Sequence, residues 1–287
     1  MILLFAPLVI TVVLGTIVAC VNKGLSPHNA ARVALLVLVL GGATMVPVIG
    51  HLVISFVVGV PEVGPMVHDT LHSGGIHLTK PNWLSLVALL TFAYAVFLFV
   101  RLFLSRMQFR RWRGGGVVVA PDAEVYAFAL PGSRSGVVVS QGLINSLTSD
   151  ELAIVLAHEH AHVENRHDRW ILVGQICAAV NPFMWHSLAS LRFALERWAD
   201  EAAVQQSGNR QLVRQTIMKV ALGAQPSQHA LGMATFGVVA RVRVLGSPVR
   251  GGSQANLVFS VGGVLLMGVL CTFQWHHIAL AVSTACG

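Results

Sequence analysis

"ILVGQICAAVNPFMWHSLASL", residues 171–191, contains no Asp, Glu, Lys or Arg and is about long enough to cross a bilayer. Whether it crosses or turns back decides the fold, and its flanks set the expectation. Upstream, "AHEHAH" at 157–162 puts His158 and His162 one helical turn apart, on one face. Downstream, "LERWADEAAV" at 195–204 carries Glu196. If these three side chains hold one metal ion, each donor atom lies about 2 Å from it. A single crossing between them would put the donors on opposite sides of the bilayer. Two crossings do not fit, since each needs about twenty residues. Pro182 disfavours helix at Asn181 and lacks an N–H of its own. The expectation is therefore a helix, a break at Asn181-Pro182, and a second helix returning Glu196 to the first. Their apolar faces should pack in the domain core or dip into the inner leaflet.

The rest of the chain is strongly apolar: mean hydropathy is +0.70, with 55% hydrophobic and 11% charged residues among 287. Four segments read as transmembrane helices, at about 2–21, 33–58, 83–104 and from 255 onward. Met1–Val21 lacks the basic segment of a signal peptide and is read as a retained span. The net charge of +7 is organised by side. Lys23 and Arg32 stand without acids in the first loop, and Glu62 and Asp69 face Lys80 in the second. "RLFLSRMQFRRWRGGG", 101–116, brings five arginines and no acid. By the positive-inside rule, loop 22–32 and residues 105–254 are expected in the cytosol, with loop 61–82 and both termini outside. These arginines thus read as a membrane anchor, and no direct nucleic-acid binding is expected. Cys20, Cys177, Cys271 and Cys286 are too scattered for a disulfide framework or a thiolate metal site.

Ten of the twelve acidic residues fall between Asp122 and Glu201, so the ionisable domain lies between the third and fourth spans. Three units follow: three helices over 1–104, a cytosolic domain over 105–254, and a last helix with a short outer tail over 255–287. The domain opens with Val-rich runs split by Pro-Asp and Pro-Gly-Ser-Arg-Ser-Gly, read as a strand-turn-strand element. Residues 136–140, "GVVVS", are the candidate edge strand for a substrate backbone. Thr148, with Glu151 three residues on, caps the next helix, whose buried face is Leu152, Val155 and Leu156.

That helix carries the HExxH motif. His158 and His162 are the first two candidate ligands, and Glu159 reaches a water at the metal as general base. His160 points away. Glu196 and, one turn on, Asp200 lie on a second amphipathic helix. Two histidines, Glu196 and an open water position form a catalytic zinc set, and Asp200 is placed to accept from a ligand histidine's free ring nitrogen. The expected chemistry is peptide-bond hydrolysis. Glu159 takes a proton from water and returns it to the leaving amine. His186, Arg192, Arg241 and Arg243 are candidates for stabilising the oxyanion.

The run "SDELAIVLAHEHAH", then "NPFMW", then "LERWADEAAV", resembles the BlaR/MecR-type membrane metallopeptidases. More distantly it resembles the HtpX and CAAX-prenyl endopeptidase relatives. The resemblance implies a mostly α-helical integral membrane protein with a cytosolic α+β zincin-like domain. It implies Zn2+ on His158, His162 and Glu196, with Glu159 as base and Asp200 behind a ligand. His167 falls where relatives carry His or Asp, outside the ligand set. The implied substrate is a cytosolic or membrane-proximal protein, such as a transcriptional repressor. The sensor-transducers carry a penicillin-binding domain after their last span, whereas this sequence ends at Gly287, so a signal would come from a partner, from the outer loop, or from nowhere. His68, His72 and His77 of that loop read as solvated residues rather than a sensory metal site. Another class of reading is a non-catalytic membrane scaffold that keeps the zinc-binding fold. A transporter built around His51 lacks the paired broken helices such proteins need.

Overall fold

A computed structural model describes residues 2–21, 24–58, 83–108, 116–130, 136–223, 233–247 and 253–286. Loop 61–82, with its three histidines, lies outside the described residues. The first half of the chain forms α1 (Ile2–Val21), α2 (Pro27–Val58), α3 (Trp83–Gln108), β1 (Val117–Ala120), β2 (Ala127–Ala129) and β3 (Val137–Ser140). Then come α4 (Gln141–Ser146), α5 (Ser149–Glu164), α6 (His167–Val180), a 3-10 turn (Pro182–Met184), α7 (Trp185–Ser207), α8 (Arg210–Gly223), α9 (Met233–Leu245) and α10 (Gln254–Cys286).

Three helical stretches are long and apolar enough to cross a membrane: Pro27–Val57, Trp83–Ser105 and Gln254–Leu280. The expected fourth, α1, carries a shorter described apolar stretch, Phe5–Val21, and packs against α2 and α10. The second span begins at Pro27 rather than 33. Proline suits the first turn of a helix because its missing N–H would have no partner there. Helix α2 is the hub: 56% of its apolar window is buried, against 11% for α3 and 17% for α10, which show their flanks to the surroundings. The end of α1 and the starts of α2 and α10 meet the intervening domain at one end of this bundle. Ser190 Oγ donates to the Ala19 carbonyl at 3.5 Å, and the His28 ring lies 4.3 Å from that of Trp198. Ser253 N–H donates to the Gly24 carbonyl at 3.2 Å.

Residues 171–191 do turn back. Helix α6 stops at Val180, and Asn181 takes an extended conformation (φ −123°, ψ 90°). Its side chain then caps the 3-10 turn by accepting from Phe183 N–H at 3.2 Å. Asn181 N–H reaches the Cys177 carbonyl at 2.9 Å, Met184 N–H reaches the Asn181 carbonyl at 3.0 Å, and Pro182 has no N–H to satisfy. A turn with its donors so satisfied can sit among apolar helices. This one does: Asn181, fully buried, donates Nδ2–H to the Gly41 carbonyl of α2 at 2.8 Å. Met184 lies against Gly15 and Gly41. A Cβ at Gly41 would meet Met184 Sδ at 2.6 Å, so any side chain there would displace Met184 from its seat. Leu188, Leu191 and Leu195 of α7 continue the same core with Val37 and Leu38 of α2.

The expected strand-turn-strand element is a three-stranded sheet of order β1-β3-β2, with β1 and β3 parallel and β2 antiparallel to β3. Residues 136–140 are therefore not an edge. Val137, Val138 and Val139 are fully buried, and β3 is paired on both sides. The edge beside the candidate site is β2.

Candidate metal centre

The helix that carries HExxH starts where the capping box places it. Thr148 N–H donates to Glu151 Oε2 at 2.9 Å, and Glu151 N–H donates to Thr148 Oγ1 at 3.3 Å. Such a cap contributes about 1 kcal/mol. Ile154, Ala157 and Ala161 are the buried face of α5, and His160 is exposed. After Asn165 the chain turns through Arg166 in the left-handed region (φ 52°), which redirects α6 toward the bundle.

Helices α5 and α7 pack together and bring His158, His162 and Glu196 into one cluster, with one donor atom of each within 4.8 Å of the others. Nε2 of His158 and Nε2 of His162 are 3.2 Å apart. Glu196 places Oε2 3.6 Å from the first and Oε1 3.7 Å from the second. A tetrahedral ion with ligands at about 2.1 Å separates its donors by about 3.4 Å. Two ring nitrogens and a carboxylate at these spacings fit zinc in donor type and in size.

The outer ring nitrogens are held as well. Nδ1 of His158 lies 3.1 Å from Oδ1 of Asp200, which is 2% exposed. Nδ1 of His162 lies 2.8 Å from Nδ1 of His167, itself buried and packed against Trp198 with tilted rings whose centroids are 4.9 Å apart. If His162 offers Nε2 to a metal, its Nδ1 carries the proton and donates to His167. Burial, and then the charge of His162, drop the His167 pKa to about 3, so it is neutral and able to accept. Burial and the neighbouring His158 likewise drop His162 to about 4. Burial would also lower His158, but Asp200 and Glu196 outweigh it and lift that imidazole to about 10.

Arg241 of α9 ties the carboxylates together. It donates Nε–H and Nη2–H to Asp200 at 2.8 and 2.6 Å, and its Nη1 is 2.8 Å from Glu196 Oε2. Burial would raise the Glu196 pKa, but the His158 hydrogen bond and Arg241 hold it well below the usual carboxylate range. Asp200 is also held low, where the Arg241 and His158 hydrogen bonds outweigh its burial. Of the four arginine and histidine candidates for the oxyanion, Arg241 alone lines this centre among the described residues. His186 and Arg243 are exposed, and Arg192 faces a groove beside α3.

Glu159 lines two cavities that flank the cluster. One, of about 370 Å3, runs along Ala127–Leu130 and His162 to Asp168. The other, of about 210 Å3, is walled by Ile154, Val213, Ile217 and Val220. Burial pushes the Glu159 carboxyl up, His158 pulls it back and Glu196 adds to the rise; the Ala129 N–H hydrogen-bonds it. A carboxylate with a raised pKa is better matched to proton transfer near neutral pH.

Residues 105–232 match the family model described as Peptidase family M48. The Arabidopsis thaliana protein "Plastoglobule-localized metallopeptidase 48, chloroplastic" is 31% identical over 128 residues, covering 41% of this chain and 37% of the relative. "Protease HtpX homolog" of Pelotomaculum thermopropionicum is 38% identical over 63 residues, 22% of this chain and 21% of the relative. The matched parts therefore span well under half of either relative's length. No solved structure matches the chain. The stretch that holds His158, Glu159, His162, Glu196 and Asp200 is thus the stretch that matches peptidase family M48.

Proposed function

We propose that this chain is a membrane-embedded, zinc-dependent endopeptidase, with His158, His162 and Glu196 as metal ligands and Glu159 as general base. The observation that carries the reading is the donor geometry, open to a cavity that Glu159 shares. Bound zinc would polarise the scissile carbonyl and acidify water. The protein's residues supply the rest. Glu159 accepts the proton of the attacking water and passes it to the leaving nitrogen. Asp200 holds His158 and His167 holds His162, fixing the ring planes and tautomers. Arg241 keeps Glu196 and Asp200 ionised and in place.

The substrate enters as an extended segment along β2. Leu130 N–H bonds to the Gly136 carbonyl and Ser140 N–H to the Tyr126 carbonyl. By alternation, the peptide groups of Ala127 and Ala129 face the other way, toward the cavity. Four spans, a cytosolic catalytic domain and outer termini are the topology we propose, on the arginine distribution. The substrate is a cytosolic or membrane-proximal protein, and the narrower BlaR/MecR-type resemblance would make it a repressor.

The test is the full chain in detergent, zinc-loaded, incubated with an unfolded protein such as reduced casein. Glu159→Gln should keep stoichiometric zinc and lose cleavage by at least about a hundredfold. Zinc binding with no cleavage by the wild type would favour the scaffold reading, and absence of zinc would sink both.

A further inference from the structure

Beside the hairpin tip, α3, α6 and α7 enclose a groove of about 630 Å3 whose polar lining includes Arg101, Ser105, Gln175 and Arg192, next to Trp185. It shares Leu102 and Ala179 with a second cavity of about 430 Å3, between α2, α3 and α6, where every lining side chain is apolar. Phe92, Phe99, Ile176 and Val180 are among its walls. The two adjoin at those residues, making a slot of two neighbouring compartments with both arginines lining the larger. From Arg101 to Phe92 along α3 is about 14 Å, comparable to the upper part of an acyl chain. Arg192 stands 5.9 Å from the Trp185 ring centroid, and neither it nor Arg101 has an acidic partner among the described residues.

We propose that this slot is a binding site for an anionic glycerophospholipid, its phosphate between Arg101 and Arg192 and one acyl chain in the apolar extension. Two guanidinium groups with no acidic partner among the described residues, lining a groove that adjoins an apolar cavity, call for an anion that carries its own hydrocarbon. A transmembrane protein segment would fill the apolar part but would leave both charges unanswered.

The test uses the full chain in phosphatidylcholine nanodiscs, titrated with phosphatidylglycerol or phosphatidylcholine bearing brominated acyl chains. Quenching of Trp185 is read as the difference between wild type and Trp185→Phe. Two arginines should favour phosphatidylglycerol by about thirtyfold, roughly fivefold for each charge. The double variant Arg101→Gln, Arg192→Gln should lose that preference. The matching lysine pair should keep most of it, as should Arg243→Gln outside the slot. Equal quenching by both lipids in the wild type overturns the proposal without any variant, and so does a preference that survives the double glutamine change. A photo-cross-linker at Leu98 should yield a lipid adduct; a protein adduct instead would assign the slot to a transmembrane segment and overturn the proposal.

Discussion

Asn181 is the residue on which the hairpin reading can be pressed hardest. It is 0% exposed, donates to the Gly41 carbonyl and accepts from Phe183 N–H. In Asn181→Ala both bonds go. The Gly41 carbonyl keeps its place in the α2 ladder, so losing that bond costs about 1 kcal/mol. Phe183 N–H is left without its acceptor, at about 1–3 kcal/mol. The sum is about 2–4 kcal/mol, or a fall of about 3–7 °C in Tm for a chain of this size. Asn181→Asp keeps an acceptor for Phe183 but loses the donor and buries a carboxyl, so its loss should be at least as large. The assay is thermal unfolding in a mild detergent, with zinc content followed in parallel. Since α7 runs from the tip to Glu196, metal should be released in the same transition. Both variants melting within about one degree of wild type would refute the buried, hydrogen-bonded tip.

Asp200→Ala should weaken zinc binding by about 10–100-fold in a competitive chelator titration, because His158 loses the partner of its outer nitrogen. Gly174→Leu should destabilise the chain by about 1–3 kcal/mol or more by overpacking. Even a Cβ there would lie 2.8 Å from Leu191 and 3.1 Å from Leu188, both buried, and the readout is Tm. Thr148→Ala should cost about 1 kcal/mol through the lost cap, seen as a small drop in Tm with zinc affinity unchanged.

Much of the centre was legible because its geometry is local. Histidines four apart on a capped helix face one way whatever surrounds them. Asn181-Pro182 breaks a helix for reasons contained in two residues. Glu196 stood out as an acid on an amphipathic helix downstream of HExxH, and the return of its helix followed from making it a ligand. Arg241 was harder to single out, since it stands 41 positions after Asp200 on another helix and nothing local separates it from Arg243. The exposure of one and the burial of the other are decided by how α9 docks. The edge strand was misread because Val-rich runs advertise a strand without saying how many neighbours it has. Val117–Val119 and Val137–Val139 are identical runs, yet the first lies at one edge and the second is central, while the plainer Ala-Phe-Ala at 127–129 holds the other edge. The early start of α2 was hidden by His28, Asn29 and Arg32, whose polarity hides a helical turn from a hydropathy reading.

Helix α7 joins two depths rigidly. Trp185 begins it at the tip seated on α2, and Glu196 follows 11 residues later, about 17 Å along the axis. The third donor of the centre is thereby held at a fixed height above an anchor sunk among the apolar helices. Helix α5 meets it at that height, and so does the β2 edge. If the centre cleaves protein as proposed, such a site would work as a gauge, gripping a chain only where an extended segment passes at that level above the anchor. Selection by altitude would then precede selection by side chain, and lengthening or shortening α7 by one turn would reset the level by about 5 Å.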